Sequence, residues 1–161
     1  MFDNISGKYD FLNHFLSIGI DKIWRKKAIK ILKPFHPKVI MDMATGTGDF
    51  AIEALKLNPE RIVGVDLSNG MLEVGRKKMV KQKVNHIIEM VQGDSENLTF
   101  EDNTFDGVWS IQMNMNIEDK LSWLGEVYRV LKPGGRAVLY EVCGSKNTPL
   151  YFPVPWAQDS S

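Results

Sequence analysis

The 161 residues are poor in cysteine, balanced in charge and without a long apolar run, and each of these shortages excludes a class of protein. A single cysteine, Cys143, excludes a disulfide framework and a metal site made of several cysteines. Lysine plus arginine and aspartate plus glutamate number 20 each, and this zero net charge argues against a nucleic-acid binder, which would show a basic excess. No apolar stretch approaches the ~20 residues of a membrane span, and the beginning of the chain lacks the basic and apolar regions of a signal peptide. We therefore expect a cytoplasmic protein with a reduced thiol.

What is present is the composition of an ordinary globular protein. Hydrophobic residues make up 43% of the chain and charged residues 25%, and 161 residues suffice for one domain with a substantial core. The three histidines, His14, His36 and His86, have no metal-ligand spacing relative to one another, so no metal site is expected.

The stretch V-I-M-D-M-A-T-G-T-G-D, residues 39–49, organises the chain. Its short apolar run predicts a buried strand, its small residues predict a tight turn, and the apolar spacing from Phe50 onward predicts a helix. A strand, a glycine turn and a helix form the unit that binds nucleotides in α/β sheets, because glycine allows a ligand to approach closely and the helix start offers free N–H groups. Packing alone also places two glycines in many turns of this kind, and from this stretch by itself both interpretations stay open.

The spacing of this turn differs from that of dinucleotide-binding proteins. A-T-G-T-G stands where those proteins have G-x-G-x-x-G, and Asp49 is acidic where a pyrophosphate would need a neutral or positive surface. The turn therefore favours a ligand that carries positive charge and no phosphate.

Further strands and helices alternate along the rest of the chain. We predict strands at about 38–43, 61–66, 87–92, 105–111 and 136–142, with helices at about 50–57, 69–81 and 117–131 between them. This alternation is typical of a doubly wound parallel sheet, which binds ligands beyond the carboxyl ends of its strands. Asp66 ends the second strand, where a carboxylate can accept hydrogen bonds from both hydroxyls of a ribose. Capping of the next helix is the alternative role for Asp66, but Ser68 already fills it.

Two motifs resemble those of the class I S-adenosylmethionine-dependent methyltransferases, and the beginning of the chain narrows the resemblance. A-T-G-T-G at residues 44–48 is similar to their motif I, and G-D-x-E-x-L-x-F-x-D-N-x-F-D at residues 93–106 is similar to their motif II. The opening M-F-D-N-I-S-G-K-Y-D-F-L-N-H-F-L-S-I-G-I-D-K-I-W-R closely resembles the amino-terminal signature of the menaquinone and ubiquinone biosynthesis C-methyltransferases. The resemblance to this family covers residues 1–111.

The resemblance implies an α/β fold of the Rossmann-like class I methyltransferase type. Its doubly wound parallel sheet would have the strand order 3-2-1-4-5 and would be truncated after strand five. Residues 1–37 would form an amino-terminal helical cap, and residues 38–142 the S-adenosylmethionine-binding domain. Residues 143–161, rich in proline and aromatic side chains, would begin an incomplete acceptor region.

The resemblance also implies a cofactor, S-adenosyl-L-methionine, with S-adenosyl-L-homocysteine as the product. The residues that it implies for cofactor binding are Tyr9, Asp42, Ala44, Thr45, Gly46, Thr47, Gly48, Asp66, Leu67, Met71, Asp94, Ser95 and Ser110. Asp94 would accept a hydrogen bond from the adenine amino group, and the alternative is a polar loop with an Asx turn at Asp94.

Two residues are candidates for the catalytic role. Glu141, at the end of the fifth strand, matches a glutamate of the quinone family that could orient an acceptor or act as a base, and it could instead accept hydrogen bonds from neighbouring backbone. His14 is the second candidate, because the amino-terminal segment would overhang the pocket.

Residues 112–161 look closer to the sarcosine and dimethylglycine N-methyltransferases than to the quinone family. Three functions therefore stay open: C-methylation of a demethylmenaquinone-type quinone precursor, N-methylation of a small amine such as sarcosine or dimethylglycine, and cofactor binding without turnover. A quinone or small-molecule acceptor is the expected partner. A second copy of the chain is also expected, because the apolar tail around Phe152 and Trp156 would be covered by another subunit. We interpret the basic run Arg25-Lys26-Lys27 as a solvent-exposed face of a helix. The alternative is a peripheral contact with a quinone or lipid head group.

Overall fold

The computed structural model describes residues 20–111, 113 and 116–141. The predicted tail at residues 143–161 and most of the predicted helical cap, with Tyr9 and His14, lie outside the described residues. The described elements, in chain order, are α1 (Ile20–Leu32), β1 (Val39–Met43), α2 (Asp49–Ala54), β2 (Arg61–Asp66), α3 (Asn69–Lys81), β3 (Ile88–Gln92), β4 (Phe105–Ile111), α4 (Lys120–Val130) and β5 (Leu131–Tyr140). Single turns of 3₁₀ helix extend α1 through Lys33–Phe35 and α2 through Leu55–Leu57.

The five strands form one parallel sheet in the order β3-β2-β1-β4-β5. This confirms the predicted strand order and the Rossmann-like fold class. In the register of the sheet, Asp42 of β1 lies opposite Gly64 of β2 on one side and opposite Trp109 of β4 on the other. The chain order reverses between β1 and β4, and the crevice beside such a reversal is where α/β sheets bind ligands.

Helices cover both faces of the sheet, because side chains alternate between the faces along each strand. On one face, Ile40, Ile62 and Trp109 pack in a cluster with apolar residues of α1, α2 and α3. On the opposite face, Met41 and Val63 pack in a second cluster that α4 covers. None of the helices among the described residues is both long and apolar enough to cross a bilayer.

The fifth strand is the main departure from the prediction. We predicted that the helix ends near residue 131 and that the strand begins near residue 136, but β5 begins at Leu131, directly after α4. Its pairing with β4 shifts register, since Phe105 lies opposite Leu131 and Gly107 lies opposite Arg136. The residues between these two pairs form an irregularity in which Gly134 adopts a left-handed φ of 80°.

Candidate functional site

Asp66 lies at the carboxyl end of β2, and both of its carboxylate oxygens are fixed by backbone groups. The Gly46 N–H donates to Oδ2 at 2.8 Å, and the Ser68 N–H donates to Oδ1 at 2.9 Å. The Gly93 N–H at the end of β3 donates to the backbone carbonyl of Asp66 at 3.1 Å. A carboxylate can accept about four hydrogen bonds, so the half-buried Asp66 is oriented and still has acceptor capacity for a ligand.

Ser68 has the capping role that we predicted for it. Its hydroxyl accepts a hydrogen bond from the Met71 N–H at 3.2 Å at the start of α3. Asp66 is therefore not needed as the side-chain cap of this helix, and its position at the sheet edge calls for another explanation.

The glycine turn that follows β1 is built from left-handed backbone. Ala44, Gly46 and Gly48 have φ values of 53°, 59° and 79°. Thr45 joins the turn to β2, since its N–H donates to the Val65 carbonyl at 3.0 Å. A Cβ atom at Gly48 would lie 2.3 Å from the Met79 methyl group, which would have to shift, and the left-handed backbone makes any side chain at this position strained.

The buried carboxylate of Asp42 stabilises this turn through a hydrogen bond from Thr45. Asp42 is 2% exposed, its Oδ2 accepts from the Thr45 hydroxyl at 2.6 Å, and its Oδ1 accepts from the Trp109 indole N–H at 2.7 Å. Gly64 makes room for Thr45, because a Cβ atom there would lie 2.8 Å from the Thr45 hydroxyl. Burial raises the pKa of Asp42 to about 7, and the hydrogen bonds from Thr45 and Trp109 limit the increase.

The electrostatic argument that we drew from Asp49 needs correction. Lys78 of α3 donates to Asp49 Oδ1 at 2.7 Å, and Arg25 of α1 lies 3.8 Å from Oδ2. Lys78 also donates to the hydroxyl of Thr47 at 2.9 Å. Because protein cations neutralise Asp49, its charge does not discriminate between a cationic ligand and a phosphate.

The residues just beyond Asp66 present an apolar surface beside the carboxylate. The Leu67 side chain is 67% exposed. The amide group of the Gln92 side chain donates to the backbone carbonyl of Leu67 at 3.1 Å. Met71 is buried, and its methyl group lies 3.5 Å from the Cβ position that a side chain at Gly46 would have. An exposed leucine next to an oriented carboxylate offers an apolar contact beside a polar one.

The loop after β3 carries Asp94 and Ser95. The Glu96 N–H donates to Asp94 Oδ1 at 2.9 Å, which is the Asx-type bond that we considered as the alternative role for Asp94. The other oxygen, Oδ2, has no hydrogen-bond partner within the described part of the chain. Asp94 is exposed and Ser95 is buried, so the turn fixes Asp94 while leaving one oxygen available.

Arg129 of α4 holds the continuation of this loop with its whole guanidinium group. It donates to the backbone carbonyls of Leu98 and Phe100, to Asp102, and twice to Glu126, at distances of 2.7–2.9 Å. Glu126 in turn accepts from the Leu98 N–H at 2.8 Å, and the hydrogen bond from Arg129 lowers the pKa of Glu126. The loop that carries Asp94 is thus tied to α4 by charged groups.

We expect Arg129→Lys to destabilise the protein by about 1–2 kcal/mol, because one ammonium group cannot replace five directed N–H donors and leaves loop carbonyls without partners. Urea unfolding measures the loss, and backbone amides of residues 98–104 should exchange faster in the variant. Arg61→Lys is the matched control, since Arg61 makes an exposed pair with Glu89 and should cost less than about 0.5 kcal/mol. Equal losses in the two variants would contradict the role assigned to Arg129.

Two further predicted residues lie on the β4 and β5 side of the sheet. Ser110 is fully buried opposite Met43, and its hydroxyl has no hydrogen-bond partner among the described residues. Glu141 accepts from the Met113 N–H at 3.3 Å, which agrees with the backbone-acceptor role that we considered for it. The described residues bring the turn at 44–48, Asp66 and the start of the Asp94 loop together, while His14 and Tyr9 lie outside them.

Sequence reasoning missed Trp109 and Arg129. A tryptophan in an apolar strand is interpreted as a core residue, and nothing in the sequence near Trp109 indicates that its indole N–H donates to Asp42. Arg129 lies in the helix that we predicted at about 117–131, where we assigned it no role. Its spacing from Glu126, i to i+3 on one helix, was the only available signal.

The model of the ubiE/COQ5 methyltransferase family matches residues 1–158 and so also includes the region where we saw resemblance to N-methyltransferases. A demethylmenaquinone methyltransferase of Bacteroides fragilis is 50% identical over 155 residues, which are 96% of this chain and 62% of that protein. The chain therefore spans less than two thirds of the length of this relative.

Solved structures agree with the fold. A protein of Methanococcus maripaludis, provisionally assigned as an S-adenosyl-L-methionine-dependent methyltransferase, superposes with a TM-score of 0.74 at 27% identity, over 85% of this chain and 62% of that one. A Galdieria sulphuraria protein, provisionally assigned as a sarcosine dimethylglycine methyltransferase, gives 0.66 at 20% identity, over 72% of this chain and 44% of that one. At this identity the second likeness shows the fold alone.

Proposed function

This chain belongs to the ubiE/COQ5 methyltransferase family, and from that membership we propose that it binds S-adenosyl-L-methionine at the carboxyl edge of its sheet. We further propose that the complete protein transfers the methyl group to a ring carbon of a demethylmenaquinone-type quinone. The single observation that carries the cofactor site is Asp66, whose oxygens are oriented by the N–H groups of Gly46 and Ser68 and keep acceptor capacity.

The described residues suit the parts of this cofactor. Asp66 would accept hydrogen bonds from the two ribose hydroxyls, and the exposed Leu67 side chain would pack against the adenine ring. Asp94 Oδ2, which has no partner among the described residues, would accept from the adenine amino group, with the Ser95 backbone beside the ring. The glycine turn at residues 44–48 approaches the methionine part closely, because no bulky side chain projects from Gly46 or Gly48.

Asp42 supports the turn in this arrangement. Both of its oxygens bond to protein groups, so it positions Thr45 and the turn from beneath. We propose the same indirect role for Met71, which is buried against the turn. Ser110, which is fully buried at the carboxyl end of β4 opposite Met43, is likewise proposed to support the cofactor site indirectly.

The chemistry needs alignment and exclusion of water more than it needs a reactive side chain. When bound, the cofactor supplies an activated methyl group: the ring carbon bonds to the methyl carbon while the carbon–sulfur bond breaks and its electron pair stays on sulfur. A ring carbon must then lose a proton, and Glu141 and His14 remain our candidates for the base. Glu141 lies at the end of β5, where its carboxylate already accepts from Met113.

The name of the Bacteroides fragilis relative supports the quinone acceptor. The sequence of residues 112–161 favours a small amine as the second candidate acceptor. A third proposal is a cofactor-binding module without turnover, since the chain spans 62% of that relative. We retain the proposals of a cytoplasmic location and of a homo-oligomer formed through residues 143–161.

One assay separates these functions. The protein is incubated with methyl-labelled S-adenosyl-L-methionine and either a demethylmenaquinone or dimethylglycine, and labelled product is measured for each acceptor. Label in the quinone alone is expected. Label in the amine alone would establish the second candidate, and binding of S-adenosyl-L-homocysteine without product from either acceptor would establish the module without turnover.

A further inference from the structure

The outer side of α1 and of the 3₁₀ turn that follows it combines positive charge with exposed apolar side chains. We call this region the α1 surface. It consists of four exposed lysines and three exposed apolar residues, namely Lys26, Lys27, Lys30, Lys33, Ile23, Ile31 and Phe35. Ile23, Ile31 and Phe35 are 53%, 56% and 49% exposed, so large apolar side chains lie at the surface beside the lysines.

Helical spacing arranges these residues in two adjacent stripes. Lys26, Lys30 and Lys33 follow one another at intervals of four and three residues, so they lie along one side of the helix. Ile23 and Ile31 lie on the neighbouring stripe, eight residues apart, with Lys27 between them. The apolar side chains are therefore interleaved with ammonium groups from Ile23 to Lys33.

The orientation of α1 is fixed by the core. Ala28, Ile29 and Leu32 on its opposite side are buried in the cluster that packs on the sheet. Because that contact fills the inner side of the helix, the α1 surface cannot turn inward. Arg136 of β5 stacks on the Phe35 ring at 4.5 Å, which extends the positive charge beyond the helix.

Among the described residues, the lysines of the α1 surface differ from several other cations in having no carboxylate partner. Among the described residues, none of Lys26, Lys27, Lys30 and Lys33 has a carboxylate partner. Elsewhere Lys56 pairs with Glu53, Arg76 with Glu73 and Lys132 with Asp106. Residues 20–35 contain six basic residues and one acidic residue in a chain of zero net charge, so positive charge is concentrated here.

We propose that the α1 surface docks the protein on anionic lipid bilayers. A bilayer interface accommodates both halves of the surface, because lysine ammonium groups reach the phosphates of head groups while isoleucine and phenylalanine side chains enter the acyl boundary. A nucleic acid would attract the lysines but would give no burial to the interleaved apolar side chains. The inference does not depend on methyl transfer, and it complements the proposed function because a lipophilic quinone resides in such bilayers.

Vesicle co-sedimentation tests the docking. The protein is mixed with vesicles of phosphatidylcholine alone or of phosphatidylcholine with phosphatidylglycerol. Binding is expected to the anionic vesicles only and should weaken as salt is added. The variant K26E/K27E/K30E should bind about a hundredfold more weakly, since one basic residue near an anionic surface contributes about a fivefold change in partitioning. The variant I31S/F35S should also bind more weakly while its salt dependence stays the same.

The matched control reverses three exposed lysines on and just after α3, in the variant K77E/K81E/K83E. It changes the net charge by the same amount and should weaken binding by less than about fivefold. Equal weakening in both triple variants would overturn the proposal, as would a wild-type protein that does not bind anionic vesicles or that binds duplex DNA more tightly. Titration with S-adenosyl-L-homocysteine should be unchanged in all variants, which separates a failure of docking from a failure of the cofactor site.

Discussion

Replacement of Asp66 by alanine is expected to weaken binding of S-adenosyl-L-homocysteine by about tenfold to a few hundredfold, or ~1.4–3.5 kcal/mol. The reason is the loss of two hydrogen bonds from ribose hydroxyls to a carboxylate, each worth ~1.5–3 kcal/mol, with water replacing part of the loss. The variant should still fold, since Asp66 lies half-buried at the end of a strand, outside the two apolar clusters. Isothermal titration calorimetry measures the affinity, and circular dichroism checks the fold.

Two further variants sharpen this test. Asp66→Asn should also weaken binding, because the amide NH₂ group would face the N–H of Gly46 or of Ser68, which are both donors. Glu89→Ala is the matched control: it removes a carboxylate of β3 that pairs with Arg61, and it should leave affinity within about twofold. An Asp66→Ala variant with wild-type affinity would contradict the assignment of Asp66 to the ribose.

The stability of the protein is expected to fall by about 2–3 kcal/mol between pH 5 and pH 8 through Asp42 alone. Burial raises the pKa of this acid from 3.8 to about 7, so the folded state disfavours its ionised form. The stabilising contribution is complete below the unfolded pKa near 4, and it is lost progressively as the pH rises through the folded pKa near 7. Urea unfolding at intervals of pH measures the slope.

Asp42→Asn should remove this slope. Its amide oxygen can accept from Trp109 and its NH₂ group can donate to the Thr45 hydroxyl, so these two contacts survive while the titration disappears. Glu126 and Asp106, whose pKa values are lowered, contribute in the opposite direction, but their stabilisation is lost only at more acidic pH. If the wild type and Asp42→Asn show the same pH dependence from pH 5 to pH 8, Asp42 does not titrate as described.

Local sequence patterns predicted much of the fold because the elements are strongly patterned. The strands at 61–66 and 105–111 and the helix at 69–81 agree with the structure at both ends. Each is bounded by a clear local signal, such as the cap at Ser68. The start of β5 was missed because proline and glycine usually end a helix with a turn, whereas here the pairing of Phe105 with Leu131 draws the segment into the sheet.

The role of a site residue could be predicted only where it follows from the residue type and its place in a strand or helix. Asp66 could be selected from its place at the end of a strand, but its bonds to Gly46 and Ser68 depend on how two loops meet. The same limit explains Asp49, since its neutralisation needs Lys78, which is 29 residues away in sequence. Trp109 and Asp42 are 67 residues apart, and only the register of β1 with β4 brings them together.

The measurement that tests the central claim most directly is a pair of calorimetric titrations of this chain, one with S-adenosyl-L-homocysteine and one with NAD⁺. Both ligands carry an adenosine, and only NAD⁺ carries a pyrophosphate, which the A-T-G-T-G turn is not spaced to bind. The account predicts saturable binding of S-adenosyl-L-homocysteine at one site, weakened about tenfold to a few hundredfold in Asp66→Ala, and no measurable binding of NAD⁺. Binding of NAD⁺ with equal or higher affinity, or no heat with either ligand, would contradict it.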